Sequence, residues 1–481
     1  MQRTSFLLLA AALATPPAGA AGADPQAALT IYRSDGDVLF SSGTAPIDDG
    51  HAVAHERRTF TLQGGRQSLR IDGLPAMLDS EAVAIDFGDA ARVMAQRVAS
   101  PGDVGALAAH RGEAVQVMAA DGGLLAEGTL LVAEGELLGV QDADGRVAYV
   151  RNFARVVFPH GAGLPGSTLE VVVEGKSGTA DAMLTYPTKG LGWRAAYSAQ
   201  IAEGADCRMN LSALASIANR SGRAWSAAEL KLVAGAPNLA RSGYAPRAMM
   251  AKSMDAAAAP EAMPEQSALG DYRSYAIDGK LDLPDGSVTQ VPLYPGEELA
   301  CTRRWLFENG GTWFPPRPML SRGADSAGGP VTSELLFKAA QNLPAGNLRV
   351  LVRDGDGRME LLGENHLGDT PKGSDVRVQL GTAFDLRGER ERTGFQLDQA
   401  ARTLDEAFRV TLTNSGGTAR TVTVREHPDR WRNWTLQSSS RKPVRTSTDT
   451  LDFEVPVPAG GSATFDYAIR YRWTGETAPA G

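Results

Sequence analysis

Apolar and polar residues alternate with a period of two along most of the chain. Phe60 and Leu62 begin one such run, and Phe408, Val410 and Leu412 begin another. Successive side chains of a strand point to opposite faces, so this period predicts strands with one buried face. Asp-Gly and Asn-Gly pairs, which suit tight hairpins, stand between many of the runs. The pattern therefore predicts a mainly β protein built from several antiparallel sandwich or barrel domains.

The runs fall into four successive groups of strands. We predict an N-terminal β domain, a small SH3-like β-barrel, a larger β domain and an immunoglobulin-like sandwich, over residues 24–108, 109–160, 161–400 and 401–481. The barrel prediction depends on five short runs in under about fifty residues. The sandwich prediction depends on long alternating strands, of which the last runs from Phe465 to Trp473.

Residues 241–270 interrupt the alternation within the third domain. They contain a run of alanines, three prolines and four methionines without a sustained period, which favours a mobile insert. A copper(I) site is the alternative, because thioether sulfur is a soft ligand. Its ligands would be Met249, Met250, Met254 and Met263. Their irregular spacing favours the mobile insert.

Residues 1–23 have the features of an export signal. A short basic start is followed by an apolar run from Phe6 to Leu13 and by two small-residue cleavage sites. Cleavage is expected after Ala20 or Ala23. No later stretch has the ~18 consecutive apolar residues that a membrane helix needs. We therefore expect a periplasmic or secreted protein without a transmembrane segment.

Cys207 and Cys301 are the two cysteines of the chain. An oxidising compartment favours a disulfide between them. The alternative is two free, buried thiols, which the spacing alone does not exclude. We predict the bridge, on the strength of the export signal.

The charges and motifs narrow the classes of function. The chain has 48 basic and 56 acidic residues, a net charge of −8, which argues against a nucleic-acid partner. Common catalytic motifs are missing from the sequence, so we assign no catalytic residue, cofactor or metal. His51, His55 and Glu56 could supply metal ligands, but an exposed polar loop is favoured there. The Asp354–Gly357 segment begins like a calcium loop and is interpreted as a hairpin, because Arg358 replaces an oxygen ligand.

Aromatic side chains offer another route to a binding surface. Trp313 and Trp431 stand among Gly, Pro, Asp and Arg residues, so they are candidate surface aromatics that could stack on sugars. Trp305 lies beside Leu306 and Phe307, which favours packing in the core.

Several ordered blocks resemble a bacterial domain of unknown function found at the C-terminus of mucoidy-inhibitor-type proteins. The blocks span roughly residues 160 to 474 and include Tyr186-Pro187-Thr188, Gly190–Tyr197, Ile217–Gly222, Trp225, Leu230–Asn238, Leu343–Gly346, Leu380–Asp385 and Val455–Gly460. The resemblance implies a β domain in the bacterial envelope and assigns no activity. The coiled coil that such proteins carry upstream is not predicted here, because the chain shows no sustained heptads.

Two functions remain open at the level of sequence. The first is an exported envelope protein that acts by binding or as a structural module, with envelope proteins or glycans as partners. The alternative is an envelope glycan hydrolase with an unrecognised pair of carboxylates, since the geometry of such a pair is set in space rather than in sequence. We favour the non-enzymatic function.

Overall fold

The computed structural model describes residues 26–41, 43, 46–99, 107, 110–159, 166–202, 207–235, 237, 265–270, 272–311, 315–323 and 326–475. Within these residues there are 26 strands and one helix of four residues, α1 (Asp37–Phe40). This confirms the mainly β prediction. The predicted export signal and its cleavage sites lie outside the described residues.

The strands follow one another with few other elements between them. In chain order they are β1 (Gln26–Tyr32), β2 (Ala52–Leu74), β3 (Ala84–Asp86), β4 (Ala91–Ala99), β5 (Ala114–Met118), β6 (Leu124–Glu134), β7 (Leu137–Gln141), β8 (Val147–Val150), β9 (Arg155–Val157), β10 (Ser167–Thr188), β11 (Leu191–Ala202), β12 (Arg208–Asn219), β13 (Trp225–Ala234), β14 (Glu265–Leu269), β15 (Tyr272–Leu283), β16 (Ser287–Asn309), β17 (Ser326–Lys338), β18 (Gly346–Arg353), β19 (Met359–Leu367), β20 (Asp375–Asp398), β21 (Thr403–Asn414), β22 (Arg420–Glu426), β23 (Trp434–Ser439), β24 (Arg445–Thr446), β25 (Leu451–Val457) and β26 (Gly461–Arg472).

The chain divides into two compact units that do not follow the predicted domain boundaries. Unit 1 comprises Met1–Arg194 and Ala215–Leu293, and unit 2 comprises Ala195–Leu214 and Tyr294–Gly481. The two units combine segments that are distant in sequence. Alternation along a strand reveals that the strand exists, but it does not reveal which distant strand will pair with it.

Unit 1 is built on an eight-stranded sheet in the order β14-β15-β13-β1-β2-β10-β3, with β4 also paired to β10. Strand β1 pairs in parallel with β13, from Ala28 opposite Glu229 to Tyr32 opposite Val233. The predicted N-terminal domain therefore shares its sheet with strands more than a hundred residues away. Leu29, Ile31 and Trp193 are among the fully buried side chains of unit 1.

Five strands of unit 1 form a separate sheet where the SH3-like barrel was predicted. Its order is β8-β7-β6-β5-β9. Strands β5 to β8 form a meander, and β9 pairs with the free side of β5. The number of strands agrees with the prediction. The closed barrel does not, because β8 and β9 are the two edges of the sheet. Val117, Leu130 and Leu138 lie in its own small core.

Unit 2 contains the strands of the C-terminal sandwich. A thirteen-stranded sheet runs in the order β19-β18-β11-β12-β16-β17-β20-β21-β26-β23, and β22, β24 and β25 attach through pairing of β22 with β16. The core around Phe453 and Tyr467 also includes Phe307, Val331 and Leu386. Strand β20, which precedes residue 401, pairs with β21 along its length.

Most of the predicted mobile insert, residues 241–270, lies outside the described residues, and its described end forms a strand. Glu265 to Leu269 form strand β14, which pairs with β15 from Tyr272 to Ala276. Residues 241–264, including Met249, Met250, Met254 and Met263, lie outside the described residues. No helix in the described part of the chain has the length and apolar character needed to cross a bilayer.

Candidate functional site

A cavity of about 380 Å³ in unit 2 is the best candidate for a site. We call it the disulfide cavity, because one of its walls adjoins the bridge described below. It is lined by Gln200, Ile201, Ala202, Arg208, Met209, Asn210, Glu298, Arg353, Asp354 and Met359. Ile201 and Met209 are buried, whereas Gln200, Asn210 and Arg353 are exposed polar residues. Ligand pockets of ~300–1,000 Å³ commonly combine an apolar surface with a few polar groups in this way.

Strand pairing brings the two sides of the cavity together. Strand β11 runs parallel to β18 up to the pair Ile201–Val352, so the C-terminal ends of both strands meet at the cavity. Arg353 and Asp354 follow directly on the β18 side. The backbone N–H groups of Asp356 and Arg358 donate to the Oδ1 atom of Asp354, at 3.0 and 2.7 Å. These bonds fix the hairpin from β18 to β19, as the sequence predicted for this segment.

A disulfide joins Cys207 to Cys301, with Cα atoms 5.0 Å apart and a separation of 94 positions in sequence. The backbone N–H of Cys301 also donates to the carbonyl of Cys207 at 3.0 Å. Arg208 follows the first cysteine, and Glu298 precedes the second by three residues. Their side chains form an ion pair with Nη1 and Oε1 3.1 Å apart. The bridge therefore ties together two strands that both line the cavity.

The polar rim of the cavity carries both signs of charge. Arg208 and Arg353 supply two guanidinium groups, and Glu298 and Asp354 supply two carboxylates. Arg353 also donates from Nη1 to the carbonyl of Gly357 at 2.6 Å, which holds it on the hairpin. The charged groups of this lining can bond polar or charged groups of a ligand, and its apolar residues can contact an apolar part.

Glu56 is the centre of a buried ionic cluster in unit 1, which we call the Glu56 cluster. Tyr186 donates to Oε1 at 2.6 Å, Arg58 donates to Oε2 at 2.7 and 2.9 Å, and Arg223 donates to Oε1. Burial alone would raise the pKa of Glu56, but Arg223 and Arg58 outweigh burial and lower it. Burial and the neighbouring carboxylate raise the pKa of Tyr186 well above its usual value. Arg223 also stacks on Trp225, with Cζ 4.3 Å from the ring centroid.

Glu426 is the centre of a similar cluster in unit 2, the Glu426 cluster. Asn309 donates to Oε1 at 2.9 Å, and Nε of Arg390 lies 2.9 Å from Oε2. Tyr467 bonds the carboxylate and also accepts from Arg390 at 3.0 Å. Burial raises the pKa of Glu426, and the single guanidinium does not reverse this effect. Arg390 stacks on Phe408, with Cζ 3.4 Å from the ring centroid.

Both clusters are held by bonds within their own unit. Neither Tyr186 nor Tyr467 is prepared to act as a base, because the pKa of each hydroxyl is raised well above its usual value by burial and a neighbouring carboxylate. Their geometry is that of structural ion pairs that satisfy buried polar atoms.

The structure corrects one of the two candidate surface aromatics. Trp431 is only 6% exposed and belongs to the C-terminal core, so its assignment as a surface aromatic was wrong. The flanking arginines that suggested exposure instead cover it or pair elsewhere. Arg432 stacks on its ring at 4.9 Å, and Arg430 pairs with Glu406 at 2.6 Å. Trp313 lies outside the described residues.

His55 and Glu56 do not converge on a common site. They are adjacent on β2, so their side chains point to opposite faces. His55 faces solvent and contacts Thr185 with Nδ1 and Oγ1 3.1 Å apart, whereas Glu56 is buried in its cluster. Among the residues that the structure describes, no group of three or more His, Cys, Asp or Glu side chains is placed to hold a metal ion.

Sequence reasoning missed the cavity and both clusters. Trp225 follows the Ile217–Gly222 block and belongs to the resemblance, but nothing in the sequence linked Arg223 beside it to Glu56. The only indication of the cavity in the sequence was that Arg208, one of its lining residues, directly follows Cys207. Without the pairing of β11 with β18, nothing in the sequence linked this segment to Asp354.

These features define an all-β protein with two units, of which the second contains a disulfide beside a mixed apolar and polar cavity. The chain belongs to the family described as a domain of unknown function, DUF4139, whose family model matches residues 182–475, more than half of the chain. The match confirms the resemblance to a domain of unknown function and includes every residue that lines the disulfide cavity. No curated protein matches the chain.

Proposed function

We propose that this chain is an exported β-protein of the bacterial cell envelope whose second unit binds a small amphiphilic ligand without changing it chemically. The observation that carries the proposal is the composition of the disulfide cavity. Its lining combines the apolar residues Ile201 and Met209 with two arginines and two carboxylates, which suits a ligand that has both an apolar part and polar groups.

The export part of the proposal is supported by the disulfide and by the N-terminal sequence. Structural disulfides persist in oxidising compartments such as the periplasm, and Cys207 and Cys301 are joined in the structure. The resemblance of the sequence blocks to mucoidy-inhibitor-type proteins is consistent with an envelope role. Envelope proteins or glycans are the partners that this location offers.

The non-catalytic part of the proposal is supported by the two buried clusters. Glu56 and Glu426 are the buried carboxylates with shifted pKa values, and each is bonded by a tyrosine and by arginine in its own unit. Such groups are bonded inside the fold, whereas a catalytic carboxylate must reach a substrate.

A ligand screen with two matched variants tests the binding site. Purified protein would be titrated by calorimetry with amino acids, short peptides, monosaccharides and disaccharides. Asn210→Trp places a large ring at the exposed wall of the cavity and should abolish binding of any compound that binds the wild type. Leu214→Trp is the control, because Leu214 is exposed on the same strand but does not line the cavity. Equal binding by the Asn210→Trp variant would overturn the site.

Two further measurements test the rest of the proposal. Export predicts that the protein recovered from the periplasm or medium begins at Ala21 or Asp24, and N-terminal sequencing reads this directly. A full-length chain retained in the cytoplasm would contradict export. Incubation with chromogenic glycosides and envelope glycans should give no turnover. Turnover that disappears when a single carboxylate is replaced would instead establish the hydrolase.

A further inference from the structure

Two arginines of unit 2 lie against the same tryptophan ring. The Cζ atom of Arg420 is 4.6 Å from the centroid of Trp305, and that of Arg303 is 5.6 Å from it. Strands β16 and β22 run parallel, with Trp305 opposite Val422. Extending this register by two residues places Arg303 level with Arg420. The sheet itself therefore sets two like charges side by side.

Neither arginine has a carboxylate partner among the described residues, although their neighbours do. On β16, the next residue, Arg304, pairs with Glu334 at 2.6 Å. On β22, Arg425 binds Asp452 through two bonds of 2.8 Å. Arg303, by contrast, donates only to the hydroxyl of Ser333, at 3.4 Å. Carboxylates thus neutralise other arginines on these two strands and leave this pair cationic.

The pair is unfavourable for the protein alone. Like charges directly opposite each other in a sheet destabilise it. Partial burial, together with the charge of Arg420, lowers the pKa of Arg303. Stacking on Trp305 offsets part of the cost, since a guanidinium over an indole ring is attracted to it. An anion that bonds both guanidiniums would remove the remaining repulsion.

We propose that Arg303, Arg420 and Trp305 form a binding site for a small oxyanionic group, a carboxylate or a phosphate, on a ligand of unit 2. Planar guanidiniums recognise both groups through charge-assisted hydrogen bonds. The site shares no residue with the disulfide cavity, so it does not depend on the ligand proposed there.

The test follows the indole N–H signal of Trp305 by NMR, assigned with a Trp305→Phe variant. The whole protein is titrated separately with sodium phosphate and with sodium acetate at constant ionic strength. We expect a saturable shift of this signal with at least one of them, and the two titrations distinguish a phosphorylated from a carboxylated ligand. Arg420→Gln should weaken that binding by about tenfold or more, because one charge-assisted bond is lost.

Arg409→Gln is the matched control. Arg409 is also an exposed arginine on a strand of unit 2, but it pairs with Asp466 at 2.9 Å. This variant removes the same charge and should bind the anion as the wild type does. No saturable shift with either anion would overturn the site. An equal loss in the Arg420→Gln and Arg409→Gln variants would also overturn it, since it would reveal only general attraction of anions.

Discussion

The Glu56 cluster in unit 1 and the Glu426 cluster in unit 2 are built from the same kinds of residue. The pKa of the central carboxyl is nevertheless shifted in opposite directions. Each contains a buried glutamate, a tyrosine bonded to it and an arginine stacked on an aromatic ring. The pKa of Glu56 is lowered, because its two guanidiniums outweigh burial. The pKa of Glu426 is raised by burial.

The number of guanidiniums explains the difference. Arg58 and Arg223 both bond the carboxylate of Glu56. Glu426 has Arg390 alone, and its other acceptor is bonded by the neutral amide of Asn309. Removing a carboxylate from water is costly, and one attractive charge commonly fails to compensate fully. The comparison teaches that a buried glutamate can be a source of stability or a burden, according to how many cations reach it.

The two clusters therefore predict opposite contributions to stability as pH changes. Folding lowers the pKa of Glu56, so its ionised form stabilises the fold above the ordinary value of 4.5, and this is lost as pH falls through the folded-state pKa. Folding raises the pKa of Glu426, so its ionised form weakens the fold. This destabilisation is relieved as pH falls from neutral through the raised pKa, because the carboxyl becomes neutral.

The largest effect is expected from Glu56→Gln. It leaves Arg58 and Arg223 without their buried counter-charge and should lower the free energy of unfolding by about 3–5 kcal/mol at neutral pH. Urea denaturation measures the change. Glu229→Gln is the control, because this carboxylate is exposed on β13 of the same sheet, and its loss should cost less than about 1 kcal/mol. Similar small losses in both variants would contradict our account of the Glu56 cluster.

Removal of the disulfide should have the next largest effect. It tests whether a covalent link stabilises unit 2 as much as the ionic cluster stabilises unit 1. Replacing Cys207 and Cys301 with serine opens a loop of 94 residues and should cost about 4 kcal/mol. Denaturation of this variant should match that of the reduced wild type. The bridge would be rejected if a thiol reagent labelled both cysteines of the unreduced native protein.

The smallest effect is expected from Glu426→Gln. The amide resembles the neutral carboxyl that burial favours, so the free energy of unfolding should change by about 1 kcal/mol or less at neutral pH. The wild type should gain stability relative to this variant as pH falls towards 4.5, the ordinary value. Denaturation at a series of pH values tests this trend. A loss as large as that from Glu56→Gln would erase the distinction between the clusters.

The sequence predicted the strands and many of the turns, because alternation and Asp-Gly pairs are local signals. It failed for features that depend on pairing at a distance. Strand β1 pairs with β13, about two hundred residues later, and no local pattern indicates this pairing. Glu56 looked like a polar residue of an exposed loop, because two of the residues that bond it are distant in sequence. Tyr186 comes from β10, and Arg223 comes from the turn before β13. Trp431 looked exposed because charged residues flank it in sequence. The sequence did not reveal that Arg432 stacks on its ring and that Arg430 pairs with Glu406.

The opposite pKa shifts of the two glutamates can be measured in one titration. The side-chain carboxyl carbons of Glu56 and Glu426 can be followed by ¹³C NMR as the pH is changed, with each signal assigned by its Gln variant. The account predicts that Glu56 titrates below the ordinary value of 4.5 and that Glu426 titrates above it. The reverse order, or two midpoints on the same side of that value, would contradict it.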